Sequence, residues 1–213
     1  MVKAVLFDFW GTLAENGTYS PLKQSYRILR VRVPFGQFVE QFERAVWTKR
    51  FDDQATAFTE ACRSFGVNPL PIIIDRLIGV WNKNRLLAKV YPDTIDALKA
   101  LKAKGVKIGI VSNAGDNTVE PLIERFGMKD LVDGVFVSYA EGKLKTDGLF
   151  DKALEGMKLE ASEVISVGDS IETDIRGAEQ AGITGYLIDR KNSRDFERKI
   201  VALGDVVKLI DEV

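Results

Sequence analysis

The chain of 213 residues contains no histidine. That removes Ser–His and Cys–His nucleophile pairs, His-ligated zinc and imidazole proton transfer from its chemistry. A single cysteine, Cys62, allows no intramolecular disulfide, which fits a reducing compartment. Phe58 and Phe65 share its helical face, so it reads as a core residue rather than a nucleophile. Basic residues number 30 against 31 acidic ones, so no positive field invites nucleic acid. No apolar run reaches the length of a membrane span, and MVKAVLFDF meets an acid too early for a secretion signal. The expectation is a cytoplasmic protein whose partners are neither membrane nor nucleic acid.

What the chain does contain suits a packed core, with 46% hydrophobic and 29% charged residues. Its length suits one compact domain, or one with a sizeable insertion. Chemistry must then come from Asp, Glu, Lys, Ser, Thr, backbone groups or a bound cation.

Residues 2–7 read as a buried strand, and Asn16-Gly17 marks a loop. From there to about residue 88 the apolar pattern is helical. Phe35, Phe38, Val39, Phe42 and Val46 form one stripe, Ala55, Phe58, Cys62 and Phe65 another, and Ile74, Leu77, Ile78 and Trp81 a third. After Tyr91-Pro92 the pattern alternates. Asp93 or Thr94 caps a helix carrying Ile95, Leu98 and Leu101, which Gly105 ends. Strands are expected at 106–111, 134–138, 164–167 and 185–188, with helices near 119–127, 147–157, 172–181 and 204–212 between and after them. Such alternation predicts an α/β fold with a parallel sheet and helices on both faces. The expected division is 1–13 and 89–213 for that core, and 14–88 for a helical insertion after the first strand.

Three expected strands end in polar groups: Asp8, then Ser112 and Asn113, then Asp169. In open α/β sheets ligands lie beyond the carboxyl ends of the strands. If these strands are neighbours, the groups converge; otherwise each merely caps its following helix. Asp174, in GDSIETD, falls five residues after Asp169, early in the next helix. Facing carboxylates at Asp8 and Asp169 repel each other and recruit a cation, and oxygen ligands with open positions suit Mg²⁺. Lys145, in GKLKTDGLF, either faces an anion at a helix start or is, with Lys143, a solvated loop charge.

FDFWGTL, IGIVSNA, GKLKTDGLF and VGDSIETDIRGAEQAGI occur in this order, and together they resemble the four motifs of the haloacid dehalogenase-like (HAD) hydrolase superfamily. The lead-in YPDTIDALKALKAKG and the insertion after the first strand look like that family too. The resemblance implies a Rossmann-like core with a C1-type helical cap. It also implies a Mg²⁺-dependent phosphatase that forms an aspartyl-phosphate on Asp8. On the matched positions, Ser112 and Asn113 would bind substrate phosphate, and Lys145 would neutralise nucleophile and phosphoryl group. Asp169, Asp8 and the backbone carbonyl of Trp10 would ligate the metal, with Asp174 supporting that shell.

Trp10 departs from the pattern. Phosphatases of this superfamily place a second aspartate two residues after the nucleophile, where it protonates the leaving oxygen. Indole exchanges no proton at neutral pH, and loss of a general acid costs about 10²–10⁴ in rate. The deficit is smallest for leaving groups that depart as stable anions, such as aryloxides. Two other readings follow from Trp10. One is a 2-haloacid dehalogenase-like hydrolase forming an Asp8 ester, since halide needs no proton. The other is a weakly active or inactive binding protein with the same fold. Glu15 or cap residues could substitute for the missing acid. The cap's basic residues, Lys23, Arg27, Arg30, Arg32, Lys49 and Arg50, either face a distal substrate anion or lie on a solvated surface.

Overall fold

The computed structural model describes residues 1–15 and 20–212; the Asn16-Gly17 loop signal lies outside them. Strand β1 (Ala4–Phe7) is followed by four helices, α1 (Pro21–Leu29), α2 (Phe35–Val46), α3 (Gln54–Ser64) and α4 (Pro71–Leu87). Then come α5 (Thr94–Ala103), β2 (Lys107–Ser112), α6 (Glu120–Arg125), β3 (Gly134–Val137) and α7 (Ser138–Glu141). The chain finishes with α8 (Leu149–Met157), β4 (Val164–Gly168), α9 (Arg176–Gln180), β5 (Thr184–Ile188), β6 (Lys199–Ile200) and α10 (Gly204–Glu212). The strands form one parallel sheet in the order β3-β2-β1-β4-β5-β6.

Strand alternation divides the core. Val5 and Phe7 of β1 face Leu98, Leu101 and Val206 on one side of the sheet. Ala4 and Leu6 face Leu149, Phe150 and Ala153 on the other. Both faces of β1 are therefore covered, which is why its sequence is a continuous apolar run rather than an alternating one. Phe7 pairs with Ile110 of β2 and Val167 of β4, and the Asp8 amide continues the ladder to the Val167 carbonyl at 2.9 Å. Asp8, Ser112 and Asp169 thus leave three adjacent strands at nearly the same level.

Local structure departs from the sequence expectations in four places. Asp93 precedes α5 but makes no side-chain cap. Its carboxylate instead accepts from Arg190 at 3.0 and 3.1 Å and from the Leu203 amide at 2.8 Å, tying the helix start to the far edge of the sheet. Ser138 ends no strand; it opens α7, and its hydroxyl bonds the Ala114 amide at 3.0 Å. The helix expected from 172 opens as a π-turn over Ile171–Ile175 before α9 begins. Strand β6, two residues long, has too little pattern to be read from sequence.

Helices α1–α4 bury an apolar cluster of their own. Phe38, Phe42, Cys62 and Leu77 are inaccessible to solvent, ringed by Tyr26, Phe65, Trp47 and Trp81. Phe38 stacks on Phe65 at 5.0 Å and meets the edge of Tyr26 at 5.1 Å. The unit is tied over the strand ends by Arg44 to Asp147 at 2.8 Å and by Arg50 above the Tyr139 ring. Among the described residues no helix is long and apolar enough to cross a membrane. Truncating a fully buried aromatic leaves a cavity that the fold cannot collapse. Phe38→Ala is expected to destabilise by about 3–5 kcal/mol, whereas Phe35→Ala, at an exposed edge, costs roughly 1 kcal/mol. Urea unfolding monitored by far-UV circular dichroism checks the difference.

Candidate active site

Asp8 follows the last residue of β1, where the chain turns sharply. Gly11, at φ 86°, takes the left-handed conformation that a Cβ disfavours, and its amide reaches the Ala14 carbonyl at 2.7 Å. The turn brings the buried Thr12 hydroxyl to Asp8 Oδ2 at 3.3 Å. It also points the Thr12 carbonyl at Arg190, 2.9 Å away.

Lys145 is buried rather than solvated. Its Nζ donates to Asp8 Oδ1 at 2.5 Å and to Asp174 Oδ1 at 2.6 Å. Lys143, two residues earlier, is exposed. Asp174 is fixed in turn by the π-turn, with its Oδ2 accepting from the Ser170 amide at 2.9 Å. Two glycines make room for this arrangement. A Cβ on Gly168 would fall 2.3 Å from the Asp174 carboxylate, and one on Gly177 would fall 2.7 Å from the Lys145 carbonyl.

Asp169 completes a group of three carboxylates, with oxygens of Asp8, Asp169 and Asp174 all within 4.8 Å of one another. Its backbone carbonyl is held by Arg194 at 2.5 Å. Burial pushes the Asp169 carboxyl up to about 8; repulsion from Asp8 and Asp174 adds to this, against weaker help from Lys145 and Arg194. Burial also pushes Asp8 up to about 6, where the Lys145 ammonium holds it down and Asp174 pushes it further up. Burial opposes the charge on Lys145, but Asp174 and Asp8 outweigh it and raise its pKa above the ordinary lysine value. Three crowded carboxylates around one buried ammonium leave excess negative charge. An oxygen-only donor set of this kind fits a hard divalent cation.

These groups form the floor of a cavity of about 260 Å³. Ser112, buried at the end of β2, and Asn113 line it beside them. Trp10 lines it as well, half-buried and edge-on to Phe9 at 5.2 Å. Leu22, Val39, Trp47 and Trp81 of the helical unit supply the opposite wall. Glu15 and the basic residues Lys23, Arg27, Arg30, Arg32, Lys49 and Arg50 are not among the cavity's lining residues; Arg85 and Lys145 are its cations.

Two charged lining residues, Arg85 and Glu43, escaped the sequence reading. Glu43, on α2, is buried, and its Oε2 accepts from the Asn113 side-chain amide at 2.8 Å. The Asn113 oxygen in turn accepts from the Lys145 amide at 2.9 Å. Burial pushes the Glu43 carboxyl up to about 7, with the Asn113 amide and Lys145 opposing and Asp174 and Asp8 assisting. The signal was present: Glu43 stands four residues after Val39 and three before Val46, on the buried stripe of its helix.

Comparison with known proteins places the chain in a wider group. The haloacid dehalogenase-like hydrolase family model matches residues 2–182. A glyceraldehyde 3-phosphate phosphatase of Methanothermobacter thermautotrophicus is 26% identical over 220 residues, covering 100% of this chain and 97% of that protein. A phosphoglycolate phosphatase of Rhodospirillum rubrum is 29% identical, covering 95% and 86%. The structure of an L-2-haloacid dehalogenase from Xanthobacter autotrophicus superposes with a TM-score of 0.69 at 19% identity, covering 99% of both chains. At that identity the likeness is one of fold.

The raised carboxyl groups have a consequence for stability. Asp8 and Asp169 bind protons more tightly folded than unfolded, so the stability they contribute is complete below about pH 4. It is lost as pH rises through about 6 and then about 8. In EDTA, the melting temperature is expected to fall as pH rises from 5 to 9. Scanning fluorimetry across that range checks it, and Asp169→Asn should flatten the upper part of the decline.

Proposed function

The chain belongs to the haloacid dehalogenase-like hydrolase family, and from that premise we propose that it is a phosphatase, hydrolysing phosphate monoesters through an aspartyl-phosphate on Asp8. The observation that carries this reading is the position of Lys145 between Asp8 and Asp174, with Asp169 alongside. The phosphatase names of both curated relatives support it. In this reading residues 1–13 and 89–213 form the Rossmann-like core, and 14–88 form a C1-type cap.

Asp8 and Asp169 would hold Mg²⁺ together with the Trp10 carbonyl, Asp174 supporting them from behind. The bound ion would supply a positive charge against the phosphoryl oxygens and reduce the repulsion that now raises both carboxyl groups. Asp8 Oδ2, whose hydrogen bond from Thr12 is long at 3.3 Å, is the freer of its two oxygens for attack. Lys145 holds Oδ1 and fixes the carboxylate plane, while its charge stabilises the incoming phosphoryl group. The Ser112 hydroxyl and the Asn113 backbone N–H at the end of β2 donate to phosphoryl oxygens. The aromatic wall excludes water and accepts an apolar leaving moiety.

Trp10 supports a second reading, dehalogenation, because halide departs without a proton. Asp169 opposes it: another carboxylate beside an anionic haloacid, with no cation, only adds repulsion. The tests separate the two. Release of p-nitrophenol from p-nitrophenyl phosphate is expected to require Mg²⁺, to cease in EDTA and to fall to background in Asp8→Asn. Turnover that persists in EDTA, or metal-free chloride release from 2-chloropropionate, contradicts the proposal.

A further inference from the structure

Trp10 leaves a chemical gap in the proposed phosphatase reaction. An alkyl ester oxygen departs badly without a proton, and the water that releases the phosphoryl group must lose one. An acid that lines the same cavity, and is neither the proposed nucleophile nor a proposed metal ligand, comes from another part of the chain. We propose that Glu43, on α2, is the catalytic acid and base of this site, replacing the proton donor that position 10 cannot provide. The inference rests on the phosphatase reading and adds to it a residue from the helical insertion.

Three observations carry it. Glu43 is an acid on the buried stripe of its helix, 8% exposed, with no ion pair among the described residues. The group that holds it is a neutral amide, Asn113 Nδ2, at 2.8 Å. A buried carboxyl held by a neutral donor can carry a proton, whereas one clamped by an ammonium, as Asp8 and Asp174 are, cannot readily do so. Second, Glu43 shares the cavity with Asp8, Lys145 and Asp169, and it reaches that lining from α2 of the helical insertion. Third, Asn113 holds both Glu43 and the Lys145 backbone, and Lys145 Nζ holds Asp8, so the acid is registered to the nucleophile through two side chains. Lys145, Asp174 and Asp8 are the charged groups whose fields reach it. Burial brings its carboxyl to about 7, which suits proton exchange in both directions near neutrality.

The proton balance closes over the two steps. Asp8 Oδ2 bonds to phosphorus, the ester P–O bond breaks, and its electron pair stays on the ester oxygen. That oxygen takes the Glu43 proton and leaves as the alcohol. The Glu43 carboxylate then takes a proton from water as the water oxygen bonds to phosphorus. The Asp8–phosphorus bond breaks, the carboxylate is restored, and Glu43 is protonated again.

The test is pre-steady-state kinetics of the full chain with Mg²⁺, using p-nitrophenyl phosphate and an alkyl phosphate. Glu43→Gln keeps the size of the side chain and an oxygen to accept from Asn113. With the aryl ester it should give a burst of about one p-nitrophenolate per chain, because that leaving group needs no acid. Steady-state turnover should then be lowered ~10²-fold, because the base is missing. With the alkyl ester no phosphoenzyme should accumulate. The double variant Glu43→Gln/Trp10→Asp should recover at least about tenfold of the lost turnover. Steady-state rates within about threefold of wild type on both esters would overturn the inference. So would loss of the burst with no recovery in the double variant, which assigns Glu43 a structural role. Wild-type chain that turns over neither ester would remove the phosphatase reading itself.

Discussion

A single ammonium group organises this protein's chemistry. Lys145 Nζ sits out of water between Asp8 at the end of the central strand and Asp174 on the π-turn after β4. Stripping one partner from a buried pair of this kind costs about 3–5 kcal/mol, because an uncompensated charge stays behind. The surrounding structure is arranged to hold it: glycine at 168 and 177 where a Cβ would collide, and Asn113 fixing the Lys145 amide. One ammonium does not neutralise three carboxylates. Burial, with repulsion among the carboxylates added to it, raises the Asp8 and Asp169 carboxyl groups, and the excess negative charge suits a cation.

The sheet was largely legible in the sequence for a simple reason. β1, β2 and β4 are buried on both faces, so each is a mostly apolar run that stops, giving way to a polar residue at its carboxyl end. The residue after the stop is where a ligand can approach, which is why Asp8, Ser112 and Asp169 stood out. The sheet order brings these three ends together. Lys145 remained open between a buried and a solvated reading, because a lysine in a Gly- and Lys-rich loop carries no periodic mark of burial. Asp93 looked like a helix cap, since the sequence does not show that Arg190 arrives from 97 residues away. Glu43 was missed for the opposite reason. On a helix rich in Phe and Val, one glutamate reads as a boundary residue, and only the packed fold shows that its face is also the cavity wall.

The helical insertion does more than cover the strand ends. Its aromatic cluster packs beneath Trp47, Trp81 and Glu43, which line the cavity together with Asp8. Lys23, Arg27, Arg30, Arg32, Lys49 and Arg50 stay away from the cavity, and Arg85 is the insertion's one cation in a lining otherwise dominated by apolar and neutral groups among the described residues. Trp10 belongs to the same surface. Its indole continues the apolar wall down to the nucleophile, and the proton-carrying function associated with that position moves across the cavity to the insertion.

The account depends on Asp8 and Asp169 binding one divalent ion beside Lys145, and direct ion binding tests that most closely. Titration of metal-free protein with Mn²⁺, followed by electron paramagnetic resonance of the free ion, is expected to show one site per chain. Affinity should weaken at least about tenfold in Asp169→Asn. Equal Mn²⁺ affinity in wild type and Asp169→Asn, or no binding by either, would contradict it.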